Sequence, residues 1–144
     1  MRDEKLPFDI QGQVIYYMGP SPARPGQVIG AAGPTTSGRM DSYSVLLMEH
    51  GLKGMIGKGS RSAAVKDAII RCGAVYLGAI GGAGALISRT IRKSDVIAYE
   101  ELGAEAIRKI EVEGFPTTVI NDIYGGDLYQ EGKEKYQRNI GNSK

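Results

Sequence analysis

The chain has no tryptophan, one cysteine (Cys72) and one histidine (His50). Each scarcity removes a class of function. Aromatic residues amount to 7%, too few to build the stacking platforms on which single-stranded bases bind. A lone cysteine cannot close an internal disulfide and no signal peptide is recognisable, so a reducing cytoplasm is the expected compartment. Zinc sites and iron–sulfur clusters take three or four Cys or His ligands, and this chain offers one of each. No metal is therefore expected on the chain itself, and any cluster has to come from another chain. Charge of one sign is lacking as well. A formal net charge of +2 is too small to make nucleic acid or an anionic membrane the main partner. No apolar run approaches the roughly 18 residues of a membrane span.

What remains is the composition of an ordinary globular domain. The 144 residues are 42% hydrophobic and 24% charged, enough to bury a core without disulfides, so a single domain over 1–144 is expected. Short apolar runs alternate with helical periods, which predicts an α/β fold. Strands are expected at 14–18, 28–32, 52–56, 74–77, 96–99 and 117–120. Helices are expected at 38–50, with Met40, Tyr43 and Leu47 on one face, and after Ser62, with Val65, Ala68, Ile69 and Cys72 at i, i+3, i+4 and i+7. That spacing places Cys72 in the core. Two further helices are read after Gly84, carrying Leu86, Ile87 and Ile91, and over 104–110. Residues 130–144 are polar and read as a flexible tail. His50, at a helix end, is read as interacting with the helix dipole.

Glycine, at 21 residues, gathers after apolar runs, where tight turns and close backbone approach need it. The stretch Gly33-Pro34-Thr35-Thr36-Ser37-Gly38-Arg39-Met40-Asp41 puts three hydroxyls at a helix start, which favours an anion. Arg39 adds a planar fork matched to a carboxylate. The plainer reading makes one hydroxyl a helix cap and Arg39 a surface residue. Gly57-Lys58-Gly59-Ser60 stands at a second strand end, so Lys58 and Arg39 could share one crevice. It is no P-loop, because Leu52 occupies the upstream glycine position. Gly82-Ala83-Gly84-Ala85-Leu86-Ile87 has Ile in place of the third glycine of a dinucleotide fingerprint, and Arg89, Arg92 and Lys93 read as a solvated face.

The two glycine-rich stretches, with Gly51-Leu52-Lys53-Gly54-Met55-Ile56 between them, resemble the β subunit of class I fumarate hydratase, equivalent to the C-terminal domain of single-chain forms. The resemblance continues through Ala98-Tyr99-Glu100-Glu101-Leu102-Gly103, Glu111-Val112-Glu113 and Phe115-Pro116 to Gly126-Asp127-Leu128-Tyr129, nearly all of 7–130. It implies a swivelling β/β/α domain, a central sheet flanked by helices. It also implies reversible addition of water to fumarate to give (S)-malate, a tricarboxylic acid cycle reaction. The four-iron four-sulfur cluster of the family belongs to the partner α subunit, so a hetero-oligomer is implied and a homodimer is left open. Carried over by position, Arg39 clamps a substrate carboxylate and Lys58 supplies a second positive charge. Thr36 lies in the same substrate-binding stretch, and Thr35 matches the threonine assigned to move the C3 proton. Family members carry a further arginine motif ahead of Leu6-Pro7-Phe8-Asp9, so an N-terminally shortened chain, inactive without its partner, is expected. The tartrate dehydratase branch is a weaker match. A non-catalytic dicarboxylate-binding or scaffolding module is the alternative from another class.

Overall fold

In the computed structural model, which describes residues 5–141 (side chains for 5–137), the β-branched and aromatic run after Gln13 forms strand β1 (Val14–Tyr16). A proline-containing loop follows, then a 3-10 helix (Ser37–Met40) leading into helix α1 (Asp41–Glu49). Strand β2 (Gly54–Gly57), helix α2 (Ala63–Cys72) and strand β3 (Val75–Gly78) complete an alternating unit. Next come the five-residue helix α3 (Gly84–Ser88), strand β4 (Ile91–Ala98), a 3-10 segment (Glu100–Glu105) and strand β5 (Ile107–Val112). Strand β6 (Thr118–Asn121) and helix α4 (Leu128–Gly141) close the chain.

The fold is α/β. β1, β2 and β3 are parallel, and β6 adds to β3 antiparallel, in the order β1-β2-β3-β6. β4 and β5 form a separate antiparallel ribbon. The main core lies between the sheet and helices α1 and α2, with Met48, Leu52, Met55, Val65, Ala68, Ile69 and Tyr76 at its centre. Burying Val65, Ala68 and Ile69 along one stripe is the clearest reason α2 forms where it does. Ser62 caps it by accepting from Val65 N at 3.3 Å, and Cys72 packs partly buried against the same core. A smaller core of Ile29, Ala32 and Ile91, with Met18 and Ile110 against it, holds the ribbon to the proline loop. Among the described residues, no helix is long and apolar enough to cross a membrane.

Several sequence expectations are corrected. Residues 28–32 form no strand, because amides there are taken by partners outside any sheet ladder. Ala31 N donates to Ser21 Oγ and Ala32 N to Gly84 O, at 2.8 and 3.1 Å. The helix expected over 104–110 is a 3-10 turn followed by β5, since β4 offers a full antiparallel edge and Ile107, Ile110 and Val112 suit it. Ile91 does not continue α3 but opens β4, 3% exposed. In α1 the inward face is Met40, Ser44, Leu47 and Met48, while Tyr43 is exposed. Ser44 takes Tyr43's expected place because its hydroxyl has buried partners, described below. Residues 130–141 of the expected tail belong to α4, and 142–144 lie outside the described residues.

Asp127 starts that helix. Its Oδ1 accepts from Tyr129 N and Gln130 N at 3.1 and 3.2 Å, and Lys66 of α2 pairs with its other oxygen. Burial by itself would raise this carboxyl, but Lys66 and the two amides outweigh it and hold it below its ordinary value. A carboxylate lowered in the fold stabilises above its unfolded-state titration and loses that contribution as pH falls through the folded value. Asp127→Ala should therefore cost about 1 kcal/mol at neutral pH, and Asp127→Asn, which keeps an acceptor, should cost less. Urea unfolding at a series of pH values should show the gap between wild type and Asp127→Asn closing as pH drops below the carboxylate range. A gap that stays constant into acid would show that the Lys66 pair contributes nothing.

Candidate functional site

The carboxyl ends of three parallel strands meet along one edge, and the glycine-rich stretches are the segments that leave them. Beyond β1, Tyr17 N donates to Ile56 O at 2.9 Å. Thr35 N then donates to Tyr17 O at 2.8 Å, Lys58 N to Thr35 O at 3.3 Å and Ser37 N to Lys58 O at 3.0 Å. Thr36 and Lys58 are thus bridged in parallel, as a short continuation of the sheet. Beyond β3, Ala79 N donates to Gly57 O at 2.9 Å, which brings Ile80 and Gly81 alongside. The Lys58 side chain runs across to them, its Cδ and Nζ 3.7 and 3.9 Å from where a Cβ on Gly81 would stand. A Cβ at 81 would make only ordinary van der Waals contact with it.

Thr35, Thr36, Arg39 and Lys58 are all exposed on this edge, whereas Ser37 between them is fully buried. The Lys58 backbone bonds Thr35 and Ser37 on either side of Thr36, which sets Thr36 opposite Lys58, with Arg39 within the 3-10 helix that follows. The capping expectation is corrected. Thr36 occupies the N-cap position but its side chain caps nothing. Ser37 turns inward, where Tyr76 Oη bonds its Oγ at 2.9 Å and donates to Gly59 O at 2.8 Å. The amides of Thr35 and Ser37 are likewise spent on the sheet continuation. An anion here would meet side chains, chiefly Arg39, Lys58 and the threonine hydroxyls, rather than a ring of free backbone N–H groups.

The support beneath this edge is a buried cation that sequence reasoning did not single out. Arg61 is 4% exposed. Its Nε donates to Asp41 Oδ1 at 2.7 Å and its Nη2 to Ser44 Oγ at 2.8 Å, while Nη1 lies 3.4 Å from Met55 Sδ. The guanidinium carbon sits 4.7 Å from the Tyr76 ring centroid and 5.6 Å from that of Tyr17, within cation–π range. Asp41 Oδ2 accepts from Ser62 N at 2.7 Å. Ser44 gives its proton to Met40 O at 2.8 Å, so the Tyr17 phenol, 3.1 Å away, donates to Ser44. Burial raises the Tyr76 phenol, although the Ser37 bond and the Arg61 charge work against that; Tyr76 therefore remains a protonated donor. Asp41 and Arg61 lie twenty residues apart in sequence, and no local spacing links them. The hint that was available is Asp41 itself, which ends the nine-residue motif without an assigned role.

Close approach completes the packing. A Cβ on Gly57 would stand 1.9 Å from Ser37 Oγ and 3.1 Å from Tyr17 Cδ2. At Gly84 it would stand 2.9 Å from Gly33 N, so the glycine-rich turn before α3 docks against the start of the motif.

The residues present do not make a cluster site. Cys72 packs at the end of α2 against the main core, and His50 Nδ1 donates to Leu46 O at 2.8 Å at the end of α1. Among the described residues, no three His, Cys, Asp or Glu side chains gather as metal ligands.

The Fumarase C-terminus family model matches residues 1–132. The chain is 46% identical over 130 residues to the anaerobic class I fumarate hydratase of Escherichia coli, covering 89% of this chain and 24% of that one. It is 43% identical over 130 residues to fumarate hydratase 2 of Leishmania major, covering 89% and 23%. A Methanocaldococcus jannaschii protein named for the L(+)-tartrate dehydratase beta subunit is 34% identical over 139 residues, covering 92% of this chain and 71% of that one. The chain thus spans about a quarter of the length of the fumarate hydratases it matches.

Removing the buried cation should be costly. Arg61→Met leaves Asp41, Ser44 and Tyr76 without their shared partner, and loss of one member of a buried pair costs about 3–5 kcal/mol. Urea unfolding of Arg61→Met, Asp41→Asn and the double variant should reveal coupling of at least about 1 kcal/mol. Additive losses would mean that the two side chains are neighbours without being partners.

Proposed function

The chain belongs to the fumarase C-terminus family, and from that premise we propose that it is the substrate-clamping portion of an iron–sulfur fumarate hydratase. The observation that carries this reading is the shared strand edge: two cations and two threonines are exposed on it while Ser37 between them is buried. A planar dicarboxylate is bound best by charges that can hold its two ends apart and still. Arg39 offers the fork that matches one carboxylate in bidentate fashion. Lys58, a point charge on a mobile stem, meets the remaining charge. Holding the substrate this way turns the addition of water into a positioned event and removes much of its entropic barrier.

Thr35 is proposed to move the C3 proton, with Thr36 hydrogen-bonding the substrate beside it. A threonine hydroxyl is a very weak base by itself, so this role depends on nearby positive charge. Lys58 supplies that charge from the strand bridged to the same segment. The four-iron four-sulfur cluster of this reading is assigned to a partner α chain, because the donor set here cannot hold one. The catalytic unit is then a hetero-oligomer, and this chain alone is inactive. The Methanocaldococcus relative, of which this chain covers 71%, favours a second reading in which the diacid is tartrate. Comparing fumarate with tartrate on the assembled enzyme separates the two.

The test is anaerobic fumarate hydration by this chain combined with a cluster-bearing α chain. Arg39→Lys should lower kcat/KM by about 30- to 1000-fold, because an ammonium cannot replace the fork. Lys58→Met should also cut activity strongly while changing stability by no more than about 0.5 kcal/mol, as expected for an exposed side chain. Arg39→Lys within about threefold of wild type would remove Arg39 from the clamp. Lys58→Met with full turnover and a lowered Tm would make Lys58 structural.

A further inference from the structure

The end of the ribbon, where β4 turns into β5, presents apolar side chains to solvent through two departures from regular strand. β4 carries an extra residue between Val96 and Ala98, so Ile97 has no partner on β5, and a bulge of this kind re-aims the side chain it carries. Two residues on, Tyr99 stands in the left-handed region at φ 56° and ψ 46°. Among the described residues it is the one non-glycine with positive φ. That conformation crowds the Cβ of any L-residue, and a bulky ring is an uncommon occupant of it. Ile97, Tyr99 and the following Leu102 are 42, 48 and 52% exposed, so close to half of each side chain is left open.

The chain gains little from this arrangement by itself. None of the three side chains belongs to either core, and among the described residues the Tyr99 ring packs on no other ring. Glycine or asparagine would make the same turn with less strain. What a left-handed tyrosine costs is therefore not recovered inside the chain.

The turn also stands where a second chain has to sit. Ala104 O lies 3.9 Å from where a Cβ on Gly19 would stand. Gly19 follows Met18, which is bridged to Pro34 at the head of the threonine motif, and Tyr17 O accepts from Thr35 N. The turn is thus a neighbour of the carboxyl end of β1, from which the candidate site is built. On the reading given above, the cluster must reach a substrate held there, so the α chain has to cover this side of the sheet. The charge around the apolar residues is of one sign. Glu100, Glu101 and Glu105 are exposed and, among the described residues, free of ion pairs. No lysine or arginine falls between Asp95 and Arg108.

We infer that this turn is the docking surface for the cluster-bearing α chain: Ile97, Tyr99 and Leu102 enter an apolar hollow on the partner, and the three glutamates meet a rim of lysine or arginine around it. The inference rests on the proposed function and adds the face by which the two chains meet. It also accounts for the strained residue. Burial of the ring against the partner offsets a conformation the chain alone does not favour, and strain of this kind persists where function requires it.

Anaerobic calorimetric titration of the 144-residue chain with the α chain tests it, beside thermal unfolding of the chain alone. Tyr99→Asn, which accepts the left-handed turn, should weaken association at least about tenfold. The Tm of the isolated variant should rise, or fall by no more than about 3 °C. Exchanging Glu100→Lys and Glu101→Lys together, a change confined to exposed side chains, should weaken association as well, and less so as salt is raised. With α chain in excess, the Tyr99→Asn assembly should hydrate fumarate at the wild-type kcat, because the ring docks the partner and does not touch substrate. Association of Tyr99→Asn within about threefold of wild type would overturn the docking surface and leave the proposed function standing. A larger fall in Tm would make the ring part of the fold and sink the idea equally. Failure of the wild-type chain to associate would remove both readings. Self-association of the chain alone, abolished by Tyr99→Asn, would give the surface to a second copy and overturn its assignment to the α chain.

Discussion

The buried guanidinium of Arg61 is the constraint on which the rest of the arrangement depends. It comes from the turn after β2, yet it reaches the first residue of α1 through Asp41, the middle of α1 through Ser44, and the end of β1 and the middle of β3 through the rings of Tyr17 and Tyr76. A charge in this position is tolerated only when its donors are met and its partner is close. Meeting them requires α1 to begin at Asp41 and to turn Ser44 inward. That in turn fixes where the preceding 3-10 helix sits, and with it Arg39. The exposed cation is thereby located by the buried one.

The same network explains why the sequence was informative about α2 and less so about α1. Val65, Ala68, Ile69 and Cys72 make an apolar stripe, and an apolar stripe reports its own burial. In α1 the inward position belongs to Ser44, which reads as polar and outward. Tyr43, which reads as inward, is exposed. Nothing within a few residues of Ser44 announces that its partners lie in Arg61 and Tyr17. Residues 107–112 failed for a related reason. Their preference for a strand is realised by pairing with β4, and such pairing is non-local information.

The strand-edge location of the candidate site was legible, because glycine-rich segments leaving strands mark that edge in an open parallel sheet. How the motif is used there was not. Three consecutive hydroxyls read as anion donors and caps, but Ser37 belongs to the interior and Thr36 caps nothing.

Along 35–39, exposure alternates with burial within a single turn of chain: Thr35 and Thr36 out, Ser37 in, Arg39 out again. The inward residue carries the architecture and the outward ones are those proposed to meet substrate, so the two are separable under substitution. Thr36 and Arg39 are exposed and lie outside the core, so the edge can accept new side chains there with its backbone unchanged. Ser37 and the glycine facing it, Gly57, have no such freedom. A lineage diversifying its substrates from this scaffold would vary the outward register and keep the inward one, and a designer could follow the same division.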